Sequence, residues 1–485
     1  MNNPIRRLSI VVALLFSSLL LSSSYISFVQ AGTLRDMSGN RRTLLDNYGR
    51  ARGPILVGGA PIARSVPSRD EMKYQRVYPN GPLYAHLSGY YSFVYGAGGG
   101  IERTSDALLS GSSNQLFYRR LVDLLTGRTP QGASVELTID AAAQKAADQA
   151  LGAQKGAVVA LDPRTGAILA LVSHPTYDPN RLASHDLGAV ERAYTALNAD
   201  PGNPLIDRAI GGDLYPPGST FKLVTAAAAL ESGKYTETTQ IPGPAVLRLP
   251  LTTTTLPNDF PGACGPGGKV SLTVALQISC NTAFGGLGLA LGGDALRAQA
   301  AKFGFGAPLA IPMNVTPSLV PAGLNAPQSA QAAIGQFDVR VTPLQMAMVS
   351  AAIANQGVLM KPYLVKLVRT AGLDVIEQAK PEQLSQAVSP QVAAQLSRMM
   401  QAVVTSGTGT RAQIPGISVA GKTGTAQHGA GLPPHAWFTA FAPADNPQVA
   451  VAVVVEDGGT AGNEGFGGRV AAPIARAVIE AVLRR

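Results

Sequence analysis

Ser219 and Lys222 are the first residues in the chain whose types and spacing suggest chemistry. They open an apolar, alanine-rich run from Phe221 to Leu230, whose apolar residues cover every side of a helix and so predict one that is largely buried. A helix places side chains three residues apart on the same face. An unpaired ammonium group is costly to bury, so a lysine there has no ordinary structural role. A serine beside a neutral lysine could instead be a nucleophile next to its base.

The serine–lysine pair alone is a weak signal, because a serine at the start of a helix is ordinarily a cap. Two later motifs could complete a site. The segment Ser279–Asn281 offers a hydroxyl and an amide just before a glycine- and alanine-rich helix candidate. The segment Lys422–Thr425 offers a cation and two hydroxyls at the end of a predicted strand, with a glycine that allows a ligand close to the backbone. Each motif in isolation is more often a turn or a cap.

A nucleotide-binding alternative overlaps the last motif. Residues 416–423 formally fit the phosphate-binding pattern G-x-x-x-x-G-K-T. That loop must connect a strand to a helix, whereas the supposed loop here, I-S-V-A, is itself strand-like. The glycines and prolines of residues 424–434 exclude a helix directly afterwards. We therefore reject the nucleotide-binding interpretation.

The ordered set S-x-x-K, S-x-N and K-T-G resembles the signature of the penicillin-binding proteins and serine β-lactamases. The flanking segments resemble class B penicillin-binding proteins: L-Y-P-P-G-S-T-F-K, I-G-Q, T-P-L-Q-M-A and G-K-T-G-T-A (residues 214–222, 334–336, 342–347 and 421–426), with A-R-G-P-I and G-G-G-I-E-R (residues 51–55 and 98–103) nearer the N-terminus. The resemblance extends from about residue 45 onward and is closest to the short actinobacterial form, a cell-division transpeptidase. It implies neither a glycosyltransferase domain nor C-terminal repeat modules.

This resemblance implies acyl transfer between peptidoglycan stem peptides, with covalent inhibition by β-lactams. Ser219 would attack a D-alanyl-D-alanine stem and release D-alanine, and an amine of a neighbouring stem would then resolve the acyl-enzyme. Lys222 would be the base, its pKa lowered by burial and by the cation of Lys422. The implied catalytic residues are Ser219, Lys222, Ser279 and Asn281, and the implied substrate-binding residues are Lys422, Thr423, Gly424 and Thr425.

Within these roles, Ser279 would relay a proton to the leaving amine and Asn281 would hold the substrate amide. The backbone N–H groups of Ser219 and Thr425 would form the oxyanion hole. Two alternatives stay open: a hydrolase of the carboxypeptidase or β-lactamase type that uses water as acceptor, and a non-catalytic scaffold for a division complex. Acylation by a labelled penicillin would distinguish the scaffold from the enzymes. We expect cell-division proteins as partners.

Charge and composition limit the other classes of function. The 485 residues are 46% hydrophobic and 14% charged, which predicts a globular chain of two to four domains. The net charge is +9, but residues 1–76 hold 11 Lys and Arg against 4 Asp and Glu. No basic stripe is interleaved with aromatic residues, so we predict no nucleic-acid partner. The histidines form no metal motif, and we predict neither metal nor cofactor, with His428 and His435 as solvated loop residues.

Residues 8–29 form an apolar run that is long enough to span a bilayer. The core Leu8–Leu21 followed by small residues also resembles a cleaved signal peptide. We favour an uncleaved anchor, because the apolar character continues past that core. Either alternative exports the rest of the chain, but the arginines Arg35, Arg41 and Arg42 after the segment leave its orientation open by charge alone.

We divide the chain into a cytoplasmic tail (1–7), an anchor (8–29), an accessory domain (32–133) and a transpeptidase domain (134–485). Residues 156–162 and 167–173 form a predicted hairpin, and three late strands follow at 417–425, 436–441 and 449–456. These five strands would share one sheet with helices on both faces, including 141–151 and 471–483, beside an all-helical part. The predicted fold class is mixed α/β.

The only two cysteines are Cys264 and Cys280, and Cys280 lies inside the S-x-N motif. Export favours pairing, because disulfides persist outside the reducing cytosol, and the count is even. We therefore predict a Cys264–Cys280 disulfide. The alternative is two unpaired thiols, with Cys280 packed as a small apolar residue.

Overall fold

The computed structural model describes residues 3–30, 48–116 and 131–484. Helix α1 (Asn3–Phe28) has 26 residues and is exposed along its whole length. Its length and mean hydropathy suit a membrane span, although an N-terminal signal sequence shares both properties. Arg35, Arg41 and Arg42 lie outside the described residues, so the structure adds nothing on the orientation of the segment.

Short elements make up the described residues 48–116. They are β1 (Ile55–Val57), β2 (Ala60–Pro67), β3 (Tyr74–Val77), α2 (Gly81–Ser88), β4 (Tyr90–Ser92), β5 (Gly96–Gly98), α3 (Gly100–Thr104) and α4 (Asp106–Leu109). A buried carboxylate holds them together, because Glu102 accepts hydrogen bonds from the Nε atoms of Arg52 and Arg76 at 2.5 and 2.6 Å. The residues that resemble family motifs in this region therefore meet in its core.

Alternating strands and helices follow. The first are β6 (Ser134–Leu137), α5 (Ala141–Leu151), β7 (Gly156–Leu161), β8 (Ile168–His174), α6 (Asn180–Ala183), α7 (Leu187–Ala199) and α8 (Lys222–Glu231). The next are β9 (Gln240–Pro242), β10 (Val246–Arg248), β11 (Thr255–Pro257), β12 (Lys269–Ser271), α9 (Leu272–Gln277), α10 (Asn281–Leu291), α11 (Gly293–Lys302), β13 (Leu309–Ala310) and β14 (Asn314–Val315).

The remaining elements include strands of the five-stranded and the six-stranded sheet described below. They are α12 (Ala326–Ala332), α13 (Pro343–Ala354), β15 (Val358–Met360), β16 (Val365–Arg369), β17 (Val375–Gln378), β18 (Gln383–Gln386), α14 (Pro390–Ser406), β19 (Ala420–Ala426), β20 (His435–Ala442), β21 (Val449–Val455) and α15 (Gly467–Leu483). The sequence predicts mainly helices between residues 190 and 410. The structure adds strands of two to five residues there, which are too short to show a hydrophobic period.

A five-stranded antiparallel sheet has the order β19-β20-β21-β7-β8. Two early strands thus pair with three late ones, which confirms the predicted sheet. Every residue of β20 and β21 is buried, because α5 and α15 cover one face of the sheet and α13 covers the other. Strand β19 is therefore an edge strand of this sheet.

A second, six-stranded sheet has the order β17-β16-β6-β1-β2-β3. Strand β6 pairs in parallel with β1 and antiparallel with β16. The sheet therefore contains strands from both sides of the predicted boundary between residues 133 and 134. The division into an accessory and a transpeptidase domain stays a prediction.

The start of α13 confirms one local prediction and corrects another. Residues 342–345, T-P-L-Q, predict an N-cap, a proline at the first helical position and a capping-box glutamine. Thr342 caps the helix by accepting from the Gln345 N–H at 3.1 Å. The Gln345 side chain does not reach back, because its amide donates to the Phe303 carbonyl at 2.7 Å. The Thr342 N–H, from which a capping-box glutamine would accept, donates instead to Ser318 Oγ at 3.0 Å.

Candidate active site

Ser219 lies in a single 3-10 turn, Gly218–Phe221, that leads directly into α8. Gly218 has a φ of +52°, and a Cβ at this position would lie 2.5 Å from the Thr425 carbonyl oxygen. Only glycine therefore allows the turn to contact β19. Gly335 is equally constrained, because its Cβ would lie 2.1 Å from the Gly218 oxygen. These two glycines hold the serine against the edge of the sheet.

Helix α8 is buried from Lys222 to Leu230, as its composition predicts. Lys222 is fully buried, and its Nζ donates to the Ser279 carbonyl at 2.8 Å and to Asn281 Oδ1 at 2.7 Å. The Ser279 hydroxyl lies 3.2 Å from the same nitrogen. Burial lowers the pKa of Lys222 from 10.5 to about 7, although the carboxylate of Asp259 opposes this shift. A substantial neutral fraction at pH 7 suits a general base.

The Ser219 hydroxyl forms no hydrogen bond with any residue that the structure describes. Its side chain is 6% exposed and lines a cavity of about 280 Å³. The Nζ of Lys222, one turn away, instead contacts Ser279 and Asn281 of the S-x-N segment. Catalytic hydrogen bonds often form only when substrate is bound, so this geometry leaves Lys222 within the candidate site.

The S-x-N segment lies between α9 and α10. Ser279 has a left-handed φ of +61°, an uncommon conformation for a non-glycine residue that concentrates at functional sites. It turns the chain so that Asn281 can begin α10 and face Lys222. A disulfide joins Cys280 to Cys264, with a Cα–Cα distance of 6.0 Å. The predicted pairing of the two cysteines is therefore present.

Lys422 is fully buried on β19, where its Nζ donates to the Thr423 carbonyl at 2.7 Å and to the Ser279 hydroxyl at 3.0 Å. One hydroxyl thus connects both lysines. Burial, and then repulsion from Lys222, lower the pKa of Lys422 well below its usual value. The sequence predicts that burial and the cation of Lys422 both lower the pKa of Lys222. In the structure burial is the cause at Lys222, and the repulsion between the two lysines lowers the pKa of Lys422. A substrate carboxylate would restore the charge of Lys422.

Two neighbours of Lys422 on β19 also face the candidate site. The Thr423 hydroxyl lies 2.6 Å from that of Thr408, which orients it, and Thr425 lines the cavity beside Ser219. Gly424 lies close to Thr220 and Trp437, where a Cβ would come within 2.9 Å of both side chains. The structure thus brings all three predicted motifs together. The strand continues from Ala420 to Ala426, and no helix follows it before β20 in the described chain, unlike a phosphate-binding loop.

Asp259 is a site residue that sequence reasoning missed. Its Oδ1 accepts from Asn281 Nδ2 at 3.0 Å, and it lines the cavity with Ser219. Since the Asn281 amide donates to Asp259, its oxygen is left to accept from Lys222. The carboxylate lies 22 residues before Asn281 in a loop, and the surrounding N-D-F-P-G sequence indicates only a turn.

The histidines correct a further expectation. His435 is buried at the start of β20 and stacks on half-buried His428, with ring centroids 3.7 Å apart. His428 Nε2 lies 2.9 Å from Asp457 Oδ1, so His428 is a half-buried loop residue, whereas His435 belongs to β20 and is not in a solvated loop. The pairing of β20 in the sheet, which spacing in the sequence does not reveal, causes the burial. One ligand atom each from His428, His435 and Asp457 lies within 4.8 Å of the others.

The comparisons with known proteins agree with this geometry. Residues 156–480 match the family described as penicillin binding protein transpeptidase domain, and residues 52–135 match the penicillin binding protein A dimerisation domain. Peptidoglycan D,D-transpeptidase PbpA of Mycolicibacterium smegmatis is 47% identical over 100% of this chain and 99% of its own length. The protein of the same name from Mycobacterium tuberculosis H37Rv is 45% identical over the same shares.

Solved structures give the same result. Penicillin-binding protein A from M. tuberculosis, as a ceftriaxone acyl-enzyme complex, superposes with a TM-score of 0.87 at 46% identity and covers 90% of this chain and 100% of that one. Its penicillin G acyl-enzyme complex gives a TM-score of 0.84 at 45% identity over the same shares. The three motifs, their spatial arrangement and these similarities together show that this chain belongs to the penicillin-binding protein transpeptidase family.

Proposed function

We propose that this protein is a peptidoglycan D,D-transpeptidase that cross-links stem peptides through an acyl-enzyme on Ser219. The observation that carries the proposal is the buried Lys222, whose pKa is lowered to about 7 one turn from the serine. Lys222 Nζ also contacts both polar members of the S-x-N segment, at 3.2 Å and 2.7 Å. Burying a lysine destabilises the fold, and lysines with strongly lowered pKa values are concentrated at functional sites, so this burial supports a catalytic role.

Acylation begins when neutral Lys222 removes the proton of the Ser219 hydroxyl. The serine oxygen attacks the carbonyl carbon of the penultimate D-alanine, and the N–H groups of Ser219 and Thr425 stabilise the oxyanion. The Ser279 hydroxyl, which lies 3.2 Å from Lys222 Nζ, passes the proton to the leaving D-alanine. Lys422 binds the terminal carboxylate together with the Thr423 and Thr425 hydroxyls. Deacylation by an amine of a second stem peptide reverses these proton transfers.

The first test is covalent labelling of Ser219. We expect mass spectrometry of the penicillin-treated full chain to show one adduct on the peptide that contains Ser219. Ser219→Ala should lose the adduct, because the substitution removes the hydroxyl that is proposed to form the acyl-enzyme in this cavity. An equal adduct yield in Ser219→Ala would overturn the assignment of the nucleophile.

The second test separates transpeptidation from hydrolysis. Incubation of the full chain with a disaccharide-free pentapeptide stem that carries a free side-chain amine should yield cross-linked dimers. Release of D-alanine without dimers would instead support the hydrolase alternative. A lack of both products, and of any penicillin adduct, would support a non-catalytic scaffold.

We further propose that α1 anchors the chain and that its catalytic part is extracytoplasmic. The disulfide between Cys264 and Cys280 supports export, because such bonds persist outside the reducing cytosol. Protease added to intact spheroplasts should digest the region after α1. Protection of that region would contradict the proposed orientation. The proposed cell-division partners rest on the family resemblance, and a fluorescent fusion that fails to concentrate at division sites would contradict them.

A further inference from the structure

The charge of the cleft beside Ser219 comes from one side chain. Asp259 is the only charged member of the described residues that line this cavity of about 280 Å³. The other lining side chains are apolar, hydroxyl or amide groups, including Leu249, Thr255 and Gln427. The two lysines lie buried beneath the surface of the cleft. A substrate that enters the cavity therefore meets a single exposed carboxylate.

This carboxylate is connected to the catalytic groups. Asp259 Oδ1 accepts from Asn281 Nδ2 at 3.0 Å, and Asn281 Oδ1 accepts from Lys222 at 2.7 Å. Asp259 Oδ2 is not needed for this chain of contacts. Its negative charge also favours the protonated forms of Lys222 and Lys422, whose pKa values it raises against the effect of burial.

We propose that Asp259 forms the binding site for the acceptor substrate and holds it by its primary ammonium group. This proposal rests on the transpeptidase function and specifies which substrate group the same cleft selects. A primary amine is mostly protonated at pH 7, because the pKa of an alkyl amine is about 10.4 and that of an α-amine such as glycinamide is about 8. A lone carboxylate in a cleft attracts such a cation and raises its local concentration. Water, the competing acceptor, gains nothing from that charge.

The step after binding balances without a further reagent. Neutral Lys222 takes one proton from the bound ammonium, and the resulting amine attacks the ester carbonyl of the acyl-enzyme. The new C–N bond forms, the bond between the carbonyl carbon and Ser219 Oγ breaks, and a second proton returns to that oxygen. The third stays on the amide product, and Lys222 releases its proton to solvent.

The test measures how the acyl-enzyme partitions between acceptors. The full-length protein is acylated with a synthetic N-acyl-D-alanine thioester, and the ratio of amide to hydrolysed acid is measured with glycinamide as acceptor at pH 7. We expect Asp259→Asn to lower this ratio roughly fivefold at low salt, the upper range for an exposed ion pair. The ratio of the native protein should also fall with added salt, because salt screens exposed charges.

Two matched controls distinguish charge from general damage. Asp294→Asn removes the same charge from a side chain that is 89% exposed outside the cleft, so its ratio should equal that of the native protein. Hydroxylamine, which is uncharged at pH 7, should give the same ratio to water in the native protein and in Asp259→Asn. An unchanged glycinamide ratio in Asp259→Asn would overturn the proposal, as would an equal loss with hydroxylamine.

A second readout concerns pH. Because Asp259 raises the pKa of Lys222, Asp259→Asn should shift the rising limb of the penicillin acylation rate to lower pH. Lys422 also faces Lys222 across the Ser279 hydroxyl, and this variant retains that lysine. A rising limb that stays in place would contradict the electrostatic part of the proposal. If the native protein forms no acyl-enzyme at all, the transpeptidase function itself fails, which is a distinguishable result.

Discussion

At the scale of single residues, the site depends on two ammonium groups that share one hydroxyl. Lys222 and Lys422 lie 3.2 and 3.0 Å from Ser279 Oγ, and both are fully buried. Two charges this close repel in a medium of low dielectric constant, so the site favours fewer than two until an anion binds. A substrate carboxylate near Lys422 offsets the repulsion between the two ammonium groups. The site is thereby prepared to bind an anion and to keep a neutral base at the same time.

The pH dependence of acylation follows from the lowered pKa of Lys222. Below about pH 7 the ammonium form predominates, so the rate should fall about tenfold per pH unit. Above that pH the amine predominates and the rate should level off. Stopped-flow measurement of acylation by a chromogenic cephalosporin between pH 5 and pH 9 checks this. A rate independent of pH across that range would exclude Lys222 as the base.

The two lysines can be separated by substitution with arginine. Lys222→Arg should lower acylation by roughly 100-fold or more, because arginine cannot deprotonate and act as a base. Lys422→Arg should keep measurable acylation, since the proposed duty of Lys422 is to supply positive charge. Second-order acylation rate constants measure both effects. Equal losses in the two variants would show that the assigned division of roles is wrong.

The sequence predicts the residues of the three motifs but not their supporting neighbours. Ser219, Lys222 and Lys422 carry recognisable spacing, whereas Asp259 reaches Asn281 from a loop and has no periodic signal. His435 is misjudged for a related reason. A histidine directly after a glycine- and proline-rich segment indicates exposure, but strand pairing in the five-stranded sheet buries it.

At the scale of elements, close contact between the 3-10 turn of Ser219 and β19 sets the geometry. Continuous apolar runs in the sequence predict β20, β21, β7 and β8 well, because these strands are buried and almost wholly apolar. The strands between residues 240 and 386 are missed, since two to five residues are too few to establish alternation. Their pairing depends on contacts with distant segments.

The disulfide gives a prediction at this scale. Cys264 and Cys280 enclose a 16-residue separation, so reduction should lower the free energy of unfolding by about 3 kcal/mol in the chain-entropy model. It should also slow acylation of Ser219, because it frees the backbone that orients Ser279 and Asn281. The check is acylation rate and circular dichroism with and without reductant, with Cys264→Ser/Cys280→Ser under the same reductant as the control. An unchanged rate would leave the bond with a structural role alone.

At the scale of the whole molecule, the six-stranded sheet unites distant parts of the chain. Strands β16 and β17 follow the S-x-N motif yet pair beside β6 and β1. The sequence predicts the order of the regions, but partners 230 residues apart, such as Lys366 and Glu136, carry no local signal. The core of the N-terminal region is similarly built from distant residues, because Arg52 and Glu102 lie 50 residues apart.

The buried carboxylate of Glu102 supports a stability prediction. Glu102→Gln would leave Arg52 and Arg76 buried without their shared counter-charge, so we expect a loss of roughly 3–5 kcal/mol. Thermal unfolding of the full chain measures it. Glu464→Gln provides the control, because Glu464 is 76% exposed in its pair with Arg469 and should contribute at most about 1 kcal/mol. Equal stability of the two variants would show that the buried network is dispensable.

The parallel pairing of β1 with β6 also has a mechanical consequence. Residues 55–57 follow the proposed anchor α1 in the sequence and pair with residues 135–137, which lead within a few residues to α5 and the five-stranded sheet. Hydrogen bonds between parallel strands that are pulled along their length from opposite ends share a load and must break together. If the N-terminus were tethered and a substrate were held in the cleft, tension between them would pass through β1 and β6 to the catalytic region. The paired strands would resist this stretching together, because their hydrogen bonds would have to break at the same time.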